Sequence, residues 1–222
     1  MKKFLVMKLI LFFIMGVMMS KKLIIAPHVD EDVLGCGGIL DDTCHVIYCG
    51  LDETGIENRP SIDERLDEIF EVKKITNHTH EVLDNLVNRY DEYKLIGQIE
   101  EIINDFKPDE VYVCHPSYNQ DHKAAYNATM VALRPHDKNH FVKKVFVYEQ
   151  PHMLFWDNGG VDFKPNYFVP IDVEKKVKVY ESMKSQVRSF RSSDHLRAIA
   201  KTRGGQSNCE YAESFQVLRW VN

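Results

Sequence analysis

His28, Asp30, Glu31 and Asp32 crowd one imidazole and three carboxylates into five positions, within the stretch IIAPHVDEDVLGCGG at residues 24–38. Carboxylates this close repel one another, and burying them without a compensating charge is costly. Two arrangements relieve the conflict: the acids fan out into water, or they surround a cation. A second polar group, HPSYNQDHKAAY at 115–126, carries His115, Asn119, Asp121 and His122. A zinc ion takes imidazole and carboxylate ligands in a near-tetrahedral shell, and a catalytic site keeps one position open for water. His28 and the acid three residues on can chelate from one strand-to-helix turn. His122 can supply a third ligand from a neighbouring turn. Asp30, outside that set, can then accept a proton from the attacking water.

Such residues need elements to hold them. KKLIIAP (21–27) and CHVIYCG (44–50) read as buried strands, with EDVLGCGGILDD (31–42) between them as a crossover helix. Pro60 and Ser61 open a helix over 59–76, and DEYKLIGQIEEIINDFKPDE (91–110) is an amphipathic helix that Lys107-Pro108 ends. THEVLD (79–84), EVYVCHP (110–116) and KKVFVYEQP (143–151) read as further strands, and 121–134 as a helix. A helix is also expected over 173–190 and a closing strand near 213–221. The last third is otherwise irregular. Alternating strands and helices predict an α/β fold with a mostly parallel sheet covered on both faces. In such folds ligands gather beyond the carboxyl ends of the strands. His28, His115 and Glu149 each end a strand and are expected on that one rim.

The 222 residues suit a single domain over 21–222, and the formal net charge is −5. Lys and Arg form no block interleaved with aromatics, so nucleic acid is not an expected partner. Five cysteines without a CxxC pair favour a reducing compartment over a disulfide framework and do not suit a structural zinc site. A cytoplasmic location follows. The glycines at 35, 37 and 38 do not make a GxGxxG dinucleotide fingerprint, because Leu40 stands where the last glycine would be. Residues 1–20 form an apolar tail. Its uninterrupted run, 9–19, is too short to span a bilayer. It is read as upstream of a start at Met18 or Met19. The minority reading is a segment that associates with the inner membrane face. His45, His78, His80, His136, His140, His152 and His195 read as hydrogen-bonded surface groups. The sequence leaves oligomeric state open, a homo-oligomer included.

Ala26-Pro27-His28-Val29-Asp30-Glu31-Asp32-Val33-Leu34-Gly35-Cys36-Gly37-Gly38 resembles the HPDDE-containing signature of the LmbE/PIG-L family of zinc-dependent N-acetylglucosaminyl deacetylases. Asn119-Gln120-Asp121-His122 is similar to the family's second signature, and Tyr148-Glu149, Gln186, Arg203-Gly204 and Tyr211–Phe215 resemble later segments. The likeness spans residues 22–220. It implies a Rossmann-like three-layer fold with the active site at the carboxyl ends of the strands. It implies metal ligands at His28, Glu31 and His122, Asp30 as general base, and Asp121 orienting a neighbouring imidazole. The implied metal is Zn²⁺, with Fe²⁺ as an alternative, and the implied partner is a small N-acetylated sugar conjugate. Arg65 matches a substrate-facing arginine. Glu149 reads as an end-of-strand acid or as a rim group that binds substrate hydroxyls, and Arg203 reads equally as a sugar contact or a helix cap.

Three departures stand out. The family's second aspartate is Glu31 here, so either Glu31 ligates in an adjusted geometry or Asp32 replaces it. The family proline is Val29. Family members often carry a histidine three residues before the last ligand, where this chain has Asn119. Its amide can donate to an oxyanion but cannot deliver a proton, and His115 is the expected substitute. The implied reaction is hydrolysis of an N-acetyl amide to acetate and a free amino sugar. The alternative is a sugar-binding protein that is non-catalytic or has an altered metal preference.

Overall fold

Leu23 and Ile25 face one side of strand β1 (Lys22–Ala26), Ile24 and Ala26 face the other, and all four are buried. A strand apolar on both faces must lie inside a sheet sandwiched between helices. The computed structural model describes residues 20–53, 57, 59–155 and 162–222, so residues 1–19 of the expected tail lie outside it. After β1 come α1 (Glu31–Cys36), β2 (Cys44–Tyr48), α2 (Ile62–Thr76), β3 (Thr79–Val82), α3 (Glu92–Phe106), β4 (Glu110–Cys114), α4 (Gln120–Ala132) and β5 (Lys144–Tyr148). Then follow α5 (His152–Phe155), β6 (Tyr167–Pro170), α6 (Val173–Ser182), a 3₁₀ turn (Ser189–Arg191), α7 (Ser193–Gln206) and β7 (Ala212–Trp220).

The seven strands lie in the order β3-β2-β1-β4-β5-β7-β6. β1 to β5 pair in parallel, while β7 runs antiparallel to both β5 and β6. One face packs on α1, α2, α6 and α7, and the other on α3 and α4. This is the three-layer α/β arrangement that the strand–helix alternation predicts. Among the described residues no helix is long and apolar enough to cross a membrane.

Caps fix the helices that the sequence makes plain. Ser61 and Glu64 form a reciprocal capping box at the start of α2, and Asp91 accepts from the backbone of Tyr93 and Lys94 at the start of α3. Lys107 ends α3 in the left-handed conformation, φ 53°, just before Pro108. Two expected helices are shorter than anticipated. α1 stops at Cys36, with Gly37 as its C-cap, and glycines are required around this end: a Cβ on Gly35 would enter the Tyr148 ring, and one on Gly38 would meet Ile171. α6 stops at Ser182 rather than running to 190, because the Glu68 carboxylate draws the chain aside. It accepts the Ser185 backbone N–H at 2.6 Å and the Ser185 hydroxyl at 2.7 Å. β6 and α7 occupy the segment anticipated as irregular. His78 is not a surface group but fully buried, bonded to Thr76 Oγ1 at 2.6 Å, and burial pushes its pKa down to about 4.

α6 is tied to the sheet by a buried ion pair. Lys176 Nζ donates to Glu213 Oε1 at 2.6 Å and to the Leu34 carbonyl at 2.7 Å, and Glu213 Oε1 also accepts from the Gly38 backbone. Removing one member of such a pair strands a buried charge, which costs about 3–5 kcal/mol. Lys176→Met is therefore expected to lower the free energy of urea unfolding by that amount. Lys176→Met combined with Glu213→Gln should recover part of it. A change under about 1 kcal/mol in the single variant would show the pair to be solvated.

Candidate metal centre and active-site cleft

From β1 the chain builds β2 and β3 to one side, then returns to build β4 and β5 on the other. The sheet therefore has its topological switch point between β1 and β4, where a crevice opens beyond their carboxyl ends. The turn after β1 carries His28, Asp30 and Glu31 into it, and the start of α4, after β4, carries Asn119 and His122. All five line a cleft of about 360 Å³.

His28, Glu31 and His122 each present a ligand atom, and these atoms lie within 4.8 Å of one another. His28 Nδ1 is 3.3 Å and His122 Nε2 is 3.0 Å from the same oxygen, Glu31 Oε1. The imidazole centroids are 5.4 Å apart. Each ring is oriented from behind. Asp121 Oδ2 stands 2.9 Å from His28 Nε2, and Ser117 Oγ stands 3.0 Å from His122 Nδ1. With those nitrogens donating, His28 Nδ1 and His122 Nε2 turn their lone pairs toward Glu31, the arrangement that outer partners impose on metal-ligating histidines. Asp121 is fixed in turn by the Asn88 backbone N–H at 2.6 Å. The donor set suits a zinc-type divalent ion, with the cleft side left for water or substrate.

Charges in the cluster are strongly coupled. Burial opposes a charge on His28, but Glu31 and Asp121 outweigh it and push its pKa up to about 10. Burial likewise opposes ionisation of Glu31, and the two imidazoles overcome it, holding that carboxyl well below its ordinary range. Because the folded-state pKa of His28 lies above an unfolded value of ~6.5, its contribution to stability is complete below that pH. It is lost as pH rises through about 10. Chelator-treated protein is therefore expected to lose thermal stability from about pH 7 upward. Supplying zinc should flatten that decline, since the ion replaces the proton between the same groups. Scanning calorimetry across pH 6–10 (roughly the window these pKa values span) checks both statements; a flat profile in chelator would contradict the pairing.

Asp30 occupies the N-cap position of α1 but makes no side-chain cap bond. Its carboxylate turns to Arg191, 2.6 Å away. Burial raises the Asp30 pKa and Arg191 opposes that rise. Nothing in the sequence pattern singled out Arg191, because its partner lies 161 positions earlier (191 − 30) and the 3₁₀ turn that delivers it replaces an expected helix. Asp32 turns away from the cluster. It is fully buried, accepts the Tyr48 hydroxyl at 2.8 Å, and burial lifts its pKa to about 7. Of the two acids offered as ligand, the geometry brings Glu31 to the histidines. Asn119 caps α4 through its side-chain oxygen, which accepts from the Asp121 backbone at 2.8 Å, so its amide NH₂ is the end left for a ligand. Arg65 lines the cleft between Glu53, 3.4 Å away, and Ser185, 3.2 Å away.

Three expected site residues do not reach the cleft. His115 is not among its walls, and its ring packs edge-on against Phe163, 6.0 Å between centroids. Glu149 and Arg203 bind each other: Arg203 Nε donates to Glu149 Oε2 at 2.9 Å, and the Ser214 hydroxyl donates to the same oxygen at 2.7 Å. That pair secures α7 to β5 and β7 instead of facing a substrate in this cleft. In their place the structure brings in His152, read from sequence as a surface group. Its ring lies 5.5 Å from that of His122 and lines the cleft.

The chain is a mostly parallel α/β fold whose switch point carries a His–Glu–His cluster that could hold a metal ion. The chain belongs to the PIG-L (GlcNAc-PI de-N-acetylase) family, whose model matches residues 23–133. No curated protein matches the sequence. Among solved structures, a conserved protein of Thermus thermophilus is similar at TM-score 0.75 and 20% identity, covering 92% of this chain and 97% of that one. The N,N′-diacetylchitobiose deacetylase of Pyrococcus horikoshii is similar at TM-score 0.71 and 20% identity, covering 90% and 84%. GalB, the 4-carboxy-2-hydroxymuconate hydratase of Pseudomonas putida KT2440, is similar at TM-score 0.67 and 20% identity, covering 92% and 98%. At these identities the likeness is one of fold, and a hydratase shares that fold with a deacetylase. The reaction must be argued from the site.

Proposed function

We propose that the chain is a metal-dependent N-deacetylase that releases acetate and a free amine from an N-acetylated amino-sugar conjugate. The observation that carries this reading is the His28–Glu31–His122 cluster, with the uncapped Asp30 two residues from one ligand, on the wall of an open cleft. His28, Glu31 and His122 would hold the ion, zinc in the first instance and iron as the alternative. A bound ion of this kind lowers the pKa of water toward about 7 and polarises an acyl oxygen. Asp30 takes the proton released as water attacks the acetyl carbon. Asn119 offers its amide NH₂ to the oxygen on which negative charge develops. Arg65, set among acceptors at the cleft wall, offers its remaining donors to sugar hydroxyls.

Support for an acetylated substrate comes from family membership and from the chitobiose deacetylase that shares the fold. The five cysteines are all free thiols, which favours a reducing compartment such as the cytoplasm. The test is acetate release from a panel of N-acetylglucosamine glycosides, run with zinc and with iron. Release that follows added metal and stops with chelator supports the reading. Metal binding without acetate release from any member would favour the sugar-binding alternative.

A further inference from the structure

We propose that Asn88 is a positioning residue of the metal centre, whose left-handed backbone aims its N–H at Asp121 and thereby holds His28 in its ligating orientation. The assignment rests on the metal-dependent reading above. Four described non-glycine residues have positive φ, a conformation that few side chains other than asparagine and aspartate adopt. Asn77 and Lys107 cap the carboxyl ends of α2 and α3, and Asn208 stands just past the end of α7. Each serves to end a helix, the ordinary use of such a residue. Asn88, at φ 68°, ends none. It lies between β3 and α3, on the cleft wall. Backbone strain of this kind collects at functional sites.

The conformation provides one hydrogen bond. Asn88 N–H donates to Asp121 Oδ2 at 2.6 Å, the same oxygen that stands 2.9 Å from His28 Nε2. Among the described residues no other group bonds that carboxylate, and its second oxygen is buried without a partner. The Asn88 backbone is therefore what sets the carboxylate against the His28 ring.

The N–H is itself placed by an anchored turn. The Leu86 carbonyl accepts from the Arg89 N–H at 3.0 Å, closing a four-residue turn with Asn88 third, where a positive φ calls for glycine or asparagine. Val87 N–H donates to the Asp52 carbonyl at 2.9 Å, and Gln120 Nε2 donates to Asn88 Oδ1 at 2.9 Å. The Tyr90 hydroxyl donates to the Pro27 carbonyl, one residue before His28. The turn is thus tied to the segment after β2, to α4 and to the turn bearing the cluster. A side chain that drives position 88 back to negative φ rotates the N–H away from Asp121. His28 then loses the partner that fixes which ring nitrogen faces Glu31.

The experiment measures zinc affinity by competition with a fluorescent zinc chelator, and the melting temperature in excess chelator, for wild type and three variants. Asn88→Gly keeps the left-handed conformation at no steric cost. Asn88→Val makes it strongly unfavourable, because a β-branched side chain is out of place at positive φ. Asn77→Val imposes the same strain at the end of α2, off the cleft wall. Zinc binding is expected to stay within about threefold of wild type in Asn88→Gly and to weaken about 10–100-fold in Asn88→Val. Asn77→Val should lower the melting temperature and leave zinc affinity unchanged. Wild-type affinity in Asn88→Val overturns the assignment. So does an Asn88→Gly as weak as Asn88→Val, which would put the effect in the side chain, or an equal loss in Asn77→Val, which would make it general. Should Asn88→Val fail to fold, the milder Asn88→Ala decides: weaker zinc binding than Asn88→Gly supports the assignment, and equal binding overturns it. A wild type that takes up no zinc defeats the metal-centre reading, and the assignment falls with it. A zinc-binding wild type matched by Asn88→Val defeats only the role of Asn88.

Discussion

Replacing His122 with alanine is expected to give a folded chain that retains no divalent ion and releases no acetate. His122 is buried on α4, and its Nε2 lies 3.0 Å from the Glu31 oxygen that also meets His28. Without it the cluster drops from three ligands to two, below what a zinc-type ion needs. The loss should far exceed the 10–100-fold that removing an outer partner typically costs in affinity. Without the ion, water in the cleft keeps a pKa near its bulk value of ~15.7 instead of about 7, so kcat/KM should fall by at least ~10⁴. Zinc content after supplementation and acetate release on the same sample check both halves. A variant that keeps one equivalent of zinc would remove His122 from the ligand set. A Ser117→Ala variant provides a graded comparison: it takes away only the partner of His122 Nδ1, and should weaken zinc about 10–100-fold without abolishing it.

The parts of this site that could be read from sequence are those set by local chemistry. His28 and Glu31 share one turn after a buried strand, and the capping Asn119 opens the helix that carries His122 three residues on. Strand and helix periodicity then brings the two turns to the same rim, because β1 and β4 pair in parallel register. Capping residues mark α2 and α3 as plainly, through Ser61, Glu64 and Asp91. What escaped depends on contacts between distant positions. The end of α6 is decided by Glu68, 117 residues from the Ser185 it binds. That break frees the segment that delivers Arg191 to Asp30. His152 sits in QPHMLFW, where no spacing signals chemistry, and it joins the cleft wall beside Tyr118 and His122 only in the folded chain. His115, Glu149 and Arg203 show the converse. Strand-end positions put His115 and Glu149 on the expected rim, and Arg203 read equally as a sugar contact or a helix cap, yet ring packing and mutual pairing place them outside the cleft.

Asp30→Asn is expected to keep the ion and lose the reaction. An aspartate at an N-cap ordinarily accepts a backbone N–H of its own helix, a contact whose loss costs about 1 kcal/mol. Asp30 forgoes it and faces Arg191 at 2.6 Å instead. A fold that gives up a cap to hold a buried carboxylate beside the His28–Glu31–His122 cluster leaves that carboxylate available for another task. Asparagine preserves the shape and can still accept from Arg191 through its amide oxygen, so the turn bearing His28 and Glu31 should not move. It cannot accept a proton from water. Zinc content should therefore remain at one equivalent while kcat falls by about 10²–10⁴. KM should stay within a few-fold, since the lost interaction belongs to the transition state. Glutamate at the same position restores the base but shifts its oxygen by about the length of one C–C bond, and geometry at this scale governs rate. Asp30→Glu should thus fall between wild type and Asp30→Asn. Equal turnover in Asp30→Asn and wild type, at equal zinc, would leave the attacking water without a base in this chain and require the proton to go directly to solvent.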